Sequence, residues 1–222
     1  MIMPSDKEYT QTRRIMRGEK KMKPEFIPLA EWIDKTYGVK TINIIYDIID
    51  KGPKSRLQIC FEFEKEKQEF LDGSIAYYDK EKQKAIGAQF KKAMLDQGLA
   101  PGKYLTEDTW VIYGAFEPIA KMEATSAITP AEVQKLKEEL NNKDIWEISV
   151  GFTTATYFLF TDKQVAEYNR PEVKELWAAK YLELVKPHDE FNYYKIETTE
   201  IYLDSKENFD NNYQSNWYYY YK

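Results

Sequence analysis

The chain has one cysteine, Cys60, and one histidine, His188, the residue types that most readily supply a nucleophile, a general base or a soft metal ligand. A nucleophilic cysteine needs a nearby base and a lowered pKa. Cys60 lies on a strand pattern opposite the apolar face, and His188 follows a helix end far along the chain. Both read as structural or solvated groups. One cysteine excludes an internal disulfide, and one histidine excludes a site built on several His or Cys ligands. Carboxylates are the remaining chemistry. Asp47, Glu62, Glu117, Glu147 and Glu197 sit among apolar residues in strand patterns, and a pair of carboxylates can do acid–base work. A carboxylate alternating with aromatics on a strand usually faces water. Glu117 and Glu147 are the two placed to line a pocket, beside Trp110 and Trp146. No DxDxD run offers a Mg²⁺ or Ca²⁺ site. Gly52, Gly73, Gly87, Gly98, Gly102, Gly114 and Gly151 are isolated, with no GxGxxG or GxxxxGK[ST] phosphate loop. Ser74 and Ser149 lack the GxSxG context of a nucleophile elbow. The expectation is a protein without catalytic residues, metal or cofactor.

The elements that would position these residues must come from 222 residues, enough for one sizeable core or two small ones. The net charge is −5, charged residues make up 31% and aromatics 15%. General disorder is disfavoured by the aromatic content, and a nucleic-acid binder relying on a basic face by the charge. No apolar run approaches the roughly 18 residues that cross a bilayer. Residues 1–24 carry 7 basic and 3 acidic residues, which leaves −9 on the remainder. They read as a basic, poorly ordered arm, because termini fray. The arm lacks the apolar segment of a secretory signal. With no cysteine pair, the expected compartment is the cytoplasm. Abundant Lys, Asn and Tyr suggest a bacterial genome rich in A and T.

From Phe26, the spacing of Leu29, Ala30, Ile33 and Tyr37 predicts a helix stopped by Gly38. A strand follows at 42–49, then a turn at Lys51–Ser55, and a return strand with Leu57, Ile59, Phe61 and Phe63 on one face. A second helix is expected at 79–97, stopped by Gly98, and a strand at 109–116. Thr129, Pro130 and Glu132 form a capping box that opens the next helix. A hairpin runs through 146–152 and 156–160. A helix from Pro171 presents Val173, Leu176, Trp177, Tyr181 and Leu184. The last clear strand, 193–203, is polar enough to be an edge. Six of the nine residues from Tyr213 to Tyr221 are aromatic. The pattern predicts a final aromatic strand with one face buried and the other free for recognition.

The halves, 25–120 and 125–222, share one order of elements, and Phe63–Phe70 can be set over Thr161–Tyr168. The fold class is therefore α+β: antiparallel sheets with amphipathic helices on one face and a duplicated α-β-β-α-β unit. The order strand-helix-strand-strand from Thr109 to Phe160 is similar to one module of the duplicated GyrI-like ligand-binding domains. Two functions survive. The first is a non-catalytic binding protein of inhibitor or immunity type. It would recognise a basic protein through an acidic surface carrying Tyr213, Trp217, Tyr218, Tyr219 and Tyr220. The second, which the GyrI-like resemblance also implies, is an effector-binding protein. Its aromatic pocket between the halves would be lined by Trp110, Tyr113, Glu117, Trp146, Glu147 and Tyr194. The polar edge strand leaves pairing of two copies open.

Overall fold

The computed structural model describes residues 3–49, 54–73 and 77–222. It is α+β, and the chain divides into two compact units, Met1–Ile119 and Ala120–Lys222. In the first, helix α1 (Lys7–Met16) precedes α2 (Ile27–Tyr37), strands β1 (Thr41–Ile48) and β2 (Ser55–Phe61), helices α3 (Glu64–Gln68) and α4 (Lys80–Asp96), and strand β3 (Trp110–Ala115). Helix α5 (Glu117–Ser126) contains the division. The second unit continues with α6 (Pro130–Leu140), β4 (Ile145–Gly151), β5 (Thr154–Leu159), α7 (Asp162–Tyr168), α8 (Pro171–Val185), β6 (Ile201–Ser205), α9 (Lys206–Tyr213) and α10 (Trp217–Tyr220).

Each unit builds one three-stranded sheet with the same pairing: β1-β2-β3 and β4-β5-β6. The first pair is antiparallel, and the third strand joins the second in parallel. The sheets are thus mixed, where strand patterns alone suggested antiparallel ones. The long connection through α4 or α8 carries the chain back to the same end of the sheet, so the third strand enters parallel. The central strand, flanked on both sides, is buried along nearly its whole length. The run from Thr109 to Phe160 crosses the unit division, so its strands belong to two sheets, and two helices lie between them. This differs from the single module suggested by the GyrI-like likeness.

The predicted stops act as expected. Gly38 ends α2 at φ +69° and Gly98 follows α4 at φ +68°, the left-handed region that favours glycine. Thr129 Oγ1 accepts from Glu132 N at 3.3 Å, and Glu132 Oε2 accepts from Thr129 N at 2.8 Å, closing the capping box. The aligned segments after the hairpins are short helices, α3 and α7. In each, a side chain at the third helical position, Glu66 or Gln164, accepts from the backbone N–H of the capping residue at 2.9 Å. The turn expected at Lys51–Ser55 lies partly outside the described residues.

The inner face of the first sheet buries Ile44, Leu57, Ile59, Phe61, Val111 and Tyr113 against Phe26, Leu29 and Ile33 of the α2 region and Ile86, Phe90 and Met94 of α4. The second core sets Ile148, Ala155, Tyr157, Leu159 and Ile201 against Leu136 of α6 and Trp177, Tyr181 and Val185 of α8. Helices cover more than one face, however. The N-terminal segment forms α1, which packs on β1. Tyr9 is only 3% exposed and stacks on Phe116 at 5.1 Å, and Asn43 Nδ2 donates to Thr12 Oγ1 at 3.0 Å. Within the segment expected as a loose arm, residues 7–16 thus form a helix that lies on the outer face. Tyr9, Thr12 and Met16 have the helical spacing that the many charges obscured.

Truncating Tyr9 should cost about 3 kcal/mol, the usual range for emptying a buried aromatic site. Urea unfolding of Tyr9→Ala tests this, and an unchanged midpoint would mean that α1 does not hold the sheet.

Candidate functional site

The outer face of the second sheet presents Trp146 beside β4's bulge, Phe158 of β5 and Asp204 of β6. The C-terminal segment covers it as two short helices rather than as the expected strand. Ser205 Oγ caps α9 by accepting from Asn208 N at 2.8 Å, and Asn216 Oδ1 caps α10 by accepting from Tyr218 N at 2.9 Å. Phe209, Tyr213, Trp217 and Tyr220 recur at four, four and three residues, a helical period interrupted by Gln214 and Ser215 at φ +56° and +54°. The longer strand expected at 193–203 shrinks to β6, preceded by a single helical turn at Ile196–Thr198.

The cap is fastened by rings. Trp217 lies parallel to Trp146 (centroids 6.0 Å, 5° between planes) and 4.3 Å from the Phe209 centroid. Phe158 meets Trp217 at 5.2 Å and Tyr220 at 5.1 Å, both edge to face. Tyr220 Oη donates to Asp204 at 2.6 Å; burial first, then this carboxylate, pushes the phenol above its ordinary range. Tyr213 packs on Tyr220 at 4.9 Å. Three of the five aromatic residues proposed from sequence, Tyr213, Trp217 and Tyr220, therefore anchor the cap. The other two face outward: Tyr218 is 67% exposed and Tyr219 46%.

Two further rings are exposed: Tyr221, the last of the aromatic run read from the sequence, and Phe152, which the sequence placed at the end of a strand. Tyr221 is 41% exposed, with its hydroxyl 2.6 Å from Ser149 Oγ, and Phe152, 60% exposed, lies 6.3 Å from the Tyr221 ring. Phe152 occupies the two-residue turn between β4 and β5 at φ +53°. Such turns take glycine or asparagine at left-handed positions, and a bulky side chain there is strained. Its sequence signal was available: an apolar ring directly after Gly151, where a polar turn residue is expected.

The second unit is also the acidic one. It has 12 basic and 18 acidic residues, a net of −6, against 20 and 19 in the first, a net of +1.

Most of the groups proposed for chemistry have structural partners. Cys60 is buried against α1, and desolvation pushes its thiol up to about 12. His188 Nε2 lies 2.9 Å from Glu132 Oε1 and braces the α6 cap. Glu132 is held down at about 2, chiefly by the Thr129 backbone and hydroxyl, then by His188. Asp47 pairs with Arg56, which also bonds Glu8 at 3.2 Å. Glu62 pairs with Lys40 at 3.5 Å. Glu147 accepts from Ile148 N at 3.1 Å, Glu117 starts α5 and Glu197 lies in the turn before β6. Among the described residues no three His, Cys, Asp or Glu gather as a metal site, and no helix is long and apolar enough to cross a membrane. Ser74 lies outside the described residues.

The six residues proposed for an aromatic pocket fall in both units. Tyr113 is enclosed in the first core, Tyr194 in the second, where its hydroxyl meets Thr125 Oγ1 at 2.7 Å and donates to Thr153 O at 3.0 Å. Trp110 is exposed on β3, and Trp146 is bound into the cap. Comparison of the chain with protein-family models, curated proteins and solved structures finds no match.

Two outcomes follow from these titrating groups. Cys60 should resist a thiol reagent at pH 8 in the folded protein and react fully in denaturant; fast labelling of folded protein would contradict its burial. Glu25 accepts from Lys103 at 2.7 Å and from Tyr104 Oη at 2.8 Å, and these bonds, led by Lys103, hold it at about 2. A lowered folded-state pKa stabilises above the unfolded carboxylate value of about 4.3 and loses that contribution as pH falls toward 2. Denaturant titrations at pH 5.5 and 2.5 should therefore show a smaller drop for Glu25→Gln than for the parent protein.

Proposed function

We propose that the protein is a non-catalytic binder of another protein, recognising a basic surface through Phe152, Tyr218, Tyr219 and Tyr221 on its acidic second unit. Such binders include inhibitors and immunity-type proteins, and a lone buried cysteine suits a reducing compartment such as the cytoplasm. The observation that carries this reading is Phe152. A large apolar side chain held at a left-handed turn position with most of its surface in water costs the fold about 1 kcal/mol or more. It buries little in return, which supports a role outside folding. The exposed tyrosines of the same unit add rigid rings with polar ends, the chemistry enriched at binding hot spots. The buried half of the cap keeps them oriented, which lowers the ordering cost of association. The net of −6 would speed encounter with a basic partner and make binding weaken with salt.

The decisive variant is Phe152→Gly. It should raise stability by about 1 kcal/mol by relieving the turn, while weakening retention of a basic partner by tenfold or more. Capture from the native host, compared with Tyr218→Ser/Tyr219→Ser, reads the second part, with the retained protein released by salt. If both variants retain the same proteins as the parent, the aromatic surface is not the recognition site.

A further inference from the structure

The repeated topology leaves an open groove in each unit between the long crossover helix and the outer edge strand. In the first unit it lies between α4 and β3, with a volume of about 670 Å³, and in the second between α8 and β6, about 750 Å³. The helix side is built alike. Gln83, Lys84, Gly87 and Ala88 line the first groove, and Lys174, Glu175, Ala178 and Ala179 the second, at identical spacing. Small residues form each floor, and each groove carries an exposed aromatic, Trp110 or Tyr202, at the start of its strand.

The charges are opposite. Among the described residues, Lys54, Lys80, Lys84 and Lys91 line the first groove with Asp108 as its one acid, and Glu175, Glu197 and Glu200 line the second with Lys174 as its one base. Lys54 pairs with Asp108 at 3.5 Å and Lys91 with Glu107 at 2.6 Å, while Tyr202 Oη donates to Glu200 at 3.3 Å. That leaves two exposed lysines, Lys80 and Lys84, and two exposed glutamates, Glu175 and Glu197, at equivalent faces of the two units. The β3 edge does not invite an added strand: Val111 O accepts from Gln83 Nε2 and Tyr78 Oη donates to Tyr113 O at 3.2 Å. Side-chain docking is what remains open to it.

We propose that these grooves are the two halves of a head-to-tail contact between copies of this chain, the lysine groove of one copy taking the glutamate groove of the next. Like grooves repel, so a symmetric contact of either groove with itself is disfavoured. The heterologous contact brings Lys80 and Lys84 to Glu175 and Glu197, with Trp110 and Ile49 facing Ile196 and Tyr202. A pair joined in this way keeps one groove of each sign unfilled, one on each copy, so assembly continues to a ring or a short chain. This contact uses none of the residues assigned to partner recognition above.

Sedimentation velocity of the full chain over a concentration series tests the proposal, at about 50 mM and about 500 mM salt, where the Debye length falls from roughly 14 Å to roughly 4 Å. The expected result is concentration-dependent association at low salt that weakens at least tenfold at high salt. Lys80→Glu/Lys84→Glu and Glu175→Lys/Glu197→Lys should each sediment as monomers with unchanged circular dichroism. Their equimolar mixture should associate again, because each supplies the sign that the other lacks. A parent protein that stays monomeric at every concentration, or a mixture that stays monomeric while both variants are folded, overturns the proposal.

Discussion

A three-stranded sheet with a buried central strand has two faces to cover, and this requirement shapes both units. Two helices bury the inner face of each sheet in a core of Phe, Ile, Leu and Tyr. The outer face needs a separate piece of chain. Helix α1 supplies it in the first unit through Tyr9 and Thr12. The aromatic helices α9 and α10 supply it in the second through Phe209, Trp217 and Tyr220. The two terminal segments thus solve one packing problem with different side chains.

The difference between these covers has consequences. α1 turns a charged face to water, with Arg14 and Arg17 paired to Glu19. The C-terminal cover has rings on both sides, so burying one set leaves Tyr218, Tyr219 and Tyr221 exposed, the last beside Phe152. A cover needing only stability would be expected to resemble α1, since scattered polar residues are the cheaper outer surface. The strained Phe152 turn and the acidic balance of the same unit favour the view that this surface was shaped for contact.

Much of the architecture is legible in the residues. Periodicity locates α2, α4, α6 and α8, the glycine stops and the Thr129 capping box set their limits, and alternation locates both hairpins. The parallel third strand is not legible, because direction depends on the path of the crossover helix and not on the strand's own pattern. The tail misled for a local reason. Consecutive tyrosines have high β propensity, yet Phe209, Trp217 and Tyr220 gain more by packing on Trp146 and Phe158 from a helical frame, with Tyr213 set on Tyr220. Tertiary contact outweighed propensity there. Of the candidate site, the cluster of aromatics was visible in the letters. Its division into anchoring and outward-facing rings, and the addition of Phe152, depend on which face of the sheet is covered.

Proton NMR of the aromatic rings measures this two-sided cap directly. Trp217 and Tyr220, packed against other rings, should show strongly shifted and dispersed resonances that move on Trp146→Ala, while Tyr218 and Tyr219 keep shifts close to those of a free peptide. If all four residues resonate at free-peptide positions, the C-terminal segment is not fastened to the sheet, and the recognition surface built on it does not exist.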